Sequence, residues 1–135
     1  MKWEDTVANR CRYGHLLEKA FPNANVIWER SEDDYQGMLN FIAIMPDNSF
    51  VLYGYSYGSC SGCDTWESAG LSEADIIAEM QHTAAKLSSR EAVTTYYSNL
   101  GSEDYIHAGA AFNQWCLENP EPIKQYDRFS SLEEL

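Results

Sequence analysis

Alternating apolar and polar residues predict three strands in the first half of the chain. The predicted strands are Ala24–Arg30, Tyr35–Met45 and Phe50–Tyr57. An acidic tip at 32–34 and a proline-containing turn at 46–49 separate them, so neighbouring strands are expected to pair antiparallel. The pattern therefore predicts a three-stranded antiparallel meander over about residues 24–57.

The two faces of the predicted sheet differ in side-chain size. In the first strand, Val26 and Trp28 are expected on one face and Ile27 on the other. In the third strand, one face carries a run of large residues: Val51, Tyr53, Tyr55 and Tyr57. The opposite face narrows to Gly54 and Ser56, which leaves room for a helix, a loop or a small ligand to approach closely.

Apolar residues at helical spacing predict helices on both sides of the meander. The first covers 4–21, the second begins at Ser72 with Asp75 as its capping partner, and the third covers 103–118. The buried stripe of the second helix is predicted to extend as far as Leu87. Its members are Ile76, Ile77, Met80, Ala84 and Leu87. The segment 89–100 mixes strand propensity with helix-end signals, and we interpret it as a helix.

These elements predict one α+β domain over residues 1–135, with three or four helices covering the sheet. The hydrophobic content of 44% excludes a disordered chain. No apolar run reaches the roughly 18 to 20 residues that span a bilayer. The charged N-terminus is followed by no apolar signal segment, so a cytoplasmic location without membrane association is expected.

Charge narrows the classes of partner. The chain has 9 basic and 21 acidic residues, for a net charge of −12. Residues 1–58 hold 5 basic and 8 acidic side chains, whereas residues 59–135 hold 4 and 13. Direct nucleic-acid binding is disfavoured because no basic stripe can neutralise phosphates, and a protein with a basic surface is the expected partner.

The turn at 58–64 carries the candidate chemistry. We favour a rigid corner between sheet and helix, in which Cys60 and Cys63 serve the architecture. The alternative is a metal or thiol-redox site: zinc could take Cys60, Cys63 and Asp64, although a second CxxC pair is absent. The remaining zinc ligands would have to come from isolated residues: Cys11, His15, His82, His107 and Cys116.

The segment Tyr35-Gln-Gly37 and the run Tyr57-Gly-Ser-Cys-Ser-Gly-Cys-Asp64 resemble a family of small proteins encoded in bacterial and phage genomes. The resemblance covers roughly residues 33–67, and the eight-residue run is its specific part. It implies a phage or mobile-element origin and a shared turn. The family has no assigned activity, so it implies no catalytic residue.

Function is predicted from what the chain offers to a partner. Ser59 and Ser61 lack the Gly-x-Ser-x-Gly arrangement, and no other set of catalytic side chains is recognisable, so we favour a non-enzymatic interaction or regulatory protein without a cofactor. The candidate binding residues are acidic or aromatic: Tyr53, Tyr55, Tyr57, Trp66, Glu73, Asp75 and Glu79. The tyrosines either form core beneath a helix or present an exposed aromatic platform with Trp66. A small-ligand pocket beside Gly54 and Ser56 remains a third possibility.

Overall fold

The computed structural model describes residues 1–32, 36–58, 65–100 and 103–121. Within these ranges, four antiparallel strands form one sheet whose spatial order follows the chain: β1 Asn25–Ser31, β2 Gly37–Ile44, β3 Phe50–Tyr57 and β4 Ala85–Leu87. The α-helices are α1 Leu17–Ala20, α2 Thr65–Ser68, α3 Glu73–Thr83, α4 Arg90–Leu100 and α5 Glu103–Glu118. The α+β class and the antiparallel meander are confirmed.

The prediction of three strands was wrong by one, because β4 extends the sheet. The helix expected to continue through Leu87 ends at Thr83, where Ala84 turns to an extended conformation (φ −61°, ψ 138°). Ala85–Leu87 then pairs antiparallel with Leu52–Phe50 of β3. Three residues are too few to show an alternating pattern in the sequence. Their pairing with β3 provides hydrogen-bond partners for backbone groups that would otherwise be unpaired at the edge of the sheet.

The predicted face of Trp28 in β1 was also wrong, whereas Val26 and Ile27 lie on opposite faces as predicted. A bulge between Val26 and Trp28 shifts the register against β2. Val26 therefore packs on one side of the sheet, whereas Ile27 and Trp28 both pack on the other. One inserted residue moves every later side chain relative to the two-residue period, so alternation alone misplaces Trp28.

The predicted helix over 4–21 is instead a chain of short turns. Three 3₁₀ turns precede α1: Trp3–Asp5, Ala8–Arg10 and Gly14–Leu16. The Val7 and Ala8 amides donate to the Glu29 carboxylate at 2.9 and 2.8 Å, so a side chain takes the place of helical carbonyl acceptors. Tyr13 adopts a left-handed conformation (φ 66°), which a continuous helix cannot contain.

Despite these turns, the N-terminal segment buries its apolar residues on the first face of the sheet. Trp3 meets Phe41 edge-to-face at 4.8 Å, and its indole N–H donates to the Phe21 carbonyl at 2.9 Å. The buried side chains from the sheet itself include a continuous aromatic and aliphatic row: Leu39, Phe41, Val51, Tyr53, Tyr55 and Tyr57. Helix α3 completes this first core through Ile76 and Met80.

The second face of the sheet is covered by α4 and α5. Phe50 of β3 meets Phe112 edge-to-face at 5.3 Å, and Val93 and Ala108 are fully buried beside them. The helix interpretation of 89–100 is confirmed, with the Ser89 hydroxyl accepting from the Ala92 amide at 3.1 Å. The prediction of a helix over 103–118 is confirmed as well.

Candidate functional site

The surface of α2 and α3 is acidic. Residues 65–83 contain four acidic side chains and neither lysine nor arginine. The four carboxylates are exposed, and we call them the acidic face: Glu67, Glu73, Asp75 and Glu79. Three of them belong to the predicted binding residues, and the structure places those three on a single helix.

The start of α3 explains why this helix forms where it does. The Ser72 hydroxyl accepts from the Asp75 amide at 3.2 Å, and the Ser72 amide donates to the Asp75 carboxylate at 3.3 Å. This reciprocal pair is the predicted capping box. Ile76 and Met80 anchor the helix in the first core, so its acidic side is turned to solvent.

Two of the four carboxylates lie beside basic side chains of the same chain. Glu67 forms an ion pair with Arg12, and the Glu73 carboxylate lies 3.1 Å from Nε2 of His15. Glu79 accepts from the Thr83 hydroxyl at 3.3 Å. Exposed pairs of this kind contribute little free energy, so a partner's cations can replace them.

The predicted tyrosine residues are buried. Tyr53, Tyr55 and Tyr57 are 8%, 8% and 3% exposed, so the structure shows the core alternative and these three rings present no exposed platform. Tyr55 donates to the Arg12 carbonyl at 2.6 Å, and Tyr57 donates to the Glu32 carbonyl. Burial, followed by the charge of Glu79, raises the pKa of Tyr53 to about 12.

Trp66 has an intermediate position. Its ring is half-buried, and it lies 5.0 Å from the Tyr55 ring and 5.0 Å from the Tyr13 ring, measured between centroids. It therefore closes the end of the first core beside the acidic face. Trp66 and the neighbouring carboxylates together form a surface that is partly apolar and partly charged, as protein interfaces are.

The predicted metal or thiol residues Cys60, Cys63 and Asp64 lie outside the described residues, so the zinc and redox alternatives stay predictions. Within the described ranges, no group of three or more His, Cys, Asp and Glu side chains is placed to hold a metal ion. Cys11 is buried and its thiol donates to the Glu32 carbonyl at 3.3 Å.

A small-ligand pocket beside Gly54 and Ser56 was one of the predicted alternatives, and a cavity on the second face of the sheet includes Gly54 but not Ser56 among its lining residues. This partly open cavity of about 220 Å³ lies between β1–β4 and the α4–α5 pair. Gly54 forms part of its floor, so the predicted close approach beside this glycine is present. The helical residues that complete it gave no signal in the sequence beyond ordinary helix periodicity.

None of the helices in the described ranges has the length and apolar character needed to cross a membrane. No family model, curated protein or solved structure matches this chain.

Proposed function

We propose that this protein is a non-enzymatic interaction protein that binds a more basic protein through the acidic face of α2 and α3. The observation that carries the proposal is the run of four exposed carboxylates in residues 65–83, with neither lysine nor arginine among them. The face is held rigid because α3 is capped at Ser72 and anchored by Ile76 and Met80.

Electrostatics supports a basic partner. The net charge of −12 attracts cations over a distance of about 10 Å at 0.1 M salt, which accelerates encounter with a basic surface. The same charge opposes phosphates, so nucleic acid is not the partner that the proposal names. At close range, lysine or arginine side chains would replace Arg12 and His15 at Glu67 and Glu73.

Net charge alone would give non-specific binding. The experiment must therefore distinguish the location of the acidic residues from the total charge of the protein. One variant combines Glu73→Lys, Asp75→Asn and Glu79→Lys, and Asn at 75 keeps a polar side chain in the capping box. The matched control combines Glu4→Lys, Glu91→Gln and Glu118→Lys, three exposed acids on other elements. Both variants change the net charge equally, through two reversals and one neutralisation.

Binding of a lysine-rich peptide is measured by calorimetry at about 0.05 M and about 0.3 M salt. We expect the acidic-face variant to lose at least about tenfold in affinity at low salt, and the control to lose much less. Thermal unfolding of both variants verifies that they remain folded. Equal losses in the two variants would show that only total charge matters, and the proposal would then be wrong.

A further inference from the structure

The cavity on the second face is lined by aromatic rings and by Gly54 of β3. Its walls carry four aromatic side chains: Trp28, Tyr96, Tyr97 and Tyr105. At the floor, a Cβ atom on Gly54 would come within 1.9 Å of the Asn40 side-chain oxygen and 2.7 Å of the Leu39 carbonyl. The absent side chain at position 54 therefore gives the Asn40 amide its place at the floor of the cavity.

Polar groups at this cavity lack partners within the described part of the chain. Neither the half-buried Asn40 amide nor the Tyr97 hydroxyl makes a hydrogen bond to another described residue. Tyr97 is only 9% exposed. Its pKa is raised first by burial and then by Tyr96 and Tyr105, so the phenol stays neutral. Buried polar groups are nearly always hydrogen-bonded to protein or to water, so a molecule that enters the cavity can take these two groups as partners.

The volume limits the size of that molecule. An apolar cavity of about 150 Å³ holds benzene, whereas drug-sized ligands occupy pockets of about 300 Å³ or more. A cavity of about 220 Å³ lies between these limits and suits one ring or two fused rings. Aromatic walls favour a planar guest, since rings pack edge-to-face or offset against one another.

The chemistry of the lining limits the guest further. A primary amide presents a donor and an acceptor side by side, which matches a ring edge with adjacent acceptor and donor. None of the described residues that line the cavity is lysine or arginine. With a net charge of −12 as well, a phosphorylated guest is disfavoured.

We infer that this cavity binds a small, uncharged, planar heteroaromatic compound of the nucleobase type. The Asn40 amide recognises its hydrogen-bonding edge, and the rings of Trp28, Tyr96 and Tyr105 cover its faces. The site is formed by the second face of the sheet, α4–α5 and Thr83 at the end of α3, and none of the four acidic-face carboxylates lines it. The acidic-face variant described above is expected to bind the compound normally.

The test uses adenine as the probe in calorimetric titrations of the full chain. We expect saturable binding, and a loss of about tenfold in affinity in Asn40→Leu, because two neutral hydrogen bonds are removed. Asn113→Leu is the matched control, since Asn113 is exposed on α5 and does not line this cavity. Adenosine monophosphate should bind more weakly than adenine, and toluene should bind Asn40→Leu at least as well as the unaltered chain.

Several results would overturn the inference. These are absence of saturable adenine binding, equal adenine affinity in Asn40→Leu and the unaltered chain, or a crystal soaked with adenine that holds only water in the cavity. Tyr96→Ala provides a second variant if Asn40→Leu does not fold, because Tyr96 is 37% exposed at the cavity rim. Tyr96→Ala should weaken adenine binding several-fold, and unchanged binding there would equally count against the inference.

Discussion

The two faces of the sheet use the same residue types for different ends. On the first face, Tyr55, Tyr57 and Trp3 are buried and each donates a hydrogen bond to a backbone carbonyl. On the second face, Tyr97 is also buried, yet its hydroxyl bonds to no other described residue and its ring borders a cavity. The two faces differ in what these rings border: Tyr55, Tyr57 and Trp3 pack within the first core with their polar atoms paired, whereas Tyr97 borders a cavity.

The largest expected difference is in stability, between a substitution in the first core and one beside the cavity of the second face. Trp3→Ala removes a side chain that is 1% exposed and packed on Phe41, so we expect unfolding to become easier by about 3–5 kcal/mol. Tyr96→Ala should change stability by less than about 1 kcal/mol, because the ring is exposed beside an existing cavity. Urea unfolding measures both, and comparable losses would remove the contrast between the faces.

The next effect tests the close approach at the cavity floor. Gly54→Ala should destabilise the fold by about 1–3 kcal/mol, because the new Cβ would press on the Leu39 carbonyl, which belongs to the backbone of β2. Gly109→Ala in α5 is the control, since its Cβ would lie at an ordinary 3.5 Å from Tyr97. That helical substitution should stabilise by about 0.5–1 kcal/mol. A neutral Gly54→Ala in thermal unfolding would contradict the proposed floor.

The smallest effect concerns single hydroxyl groups. Tyr55→Phe should cost about 1 kcal/mol, because the Arg12 carbonyl loses its donor. Tyr97→Phe should change stability by no more than about 0.5 kcal/mol, because no described residue bonds to its hydroxyl. Paired urea titrations of the two variants decide the point, and a similar cost for both would show that Tyr97 has a structural partner.

Much of the fold could be predicted because its signals are local. Alternation identified β2 and β3 and placed Val51, Tyr53, Tyr55 and Tyr57 on one face of β3, where all four are buried in the first core. The capping box at Ser72 was readable because both partners lie within one helical turn. The failures were non-local: the N-terminal turns depend on the Glu29 carboxylate, which reaches them from another element.

The candidate sites also contain some residues that local sequence predicts and others that depend on tertiary packing. The acidic residues of α3 were predictable, since charge on an amphipathic helix faces solvent. For the tyrosines of β3, the sequence left two alternatives, a buried core and an exposed platform. Alternation shows which face of the strand they share, but it does not show what covers that face. The cavity could be anticipated only at Gly54, since Asn40 and Tyr97 are far apart in the chain and neither is distinctive alone.

The order of amino acids is enough to specify the class of fold, the faces of the central strands, the amphipathic helices and the negative charge. These follow from side-chain periodicity and composition, which act within a few residues. The three-dimensional fold was needed to reveal the fourth strand, the bulge at Val26–Trp28, the burial of the tyrosine row and the cavity beside Gly54. Each of these depends on which distant segment lies against which, and that choice is made by packing of the whole chain.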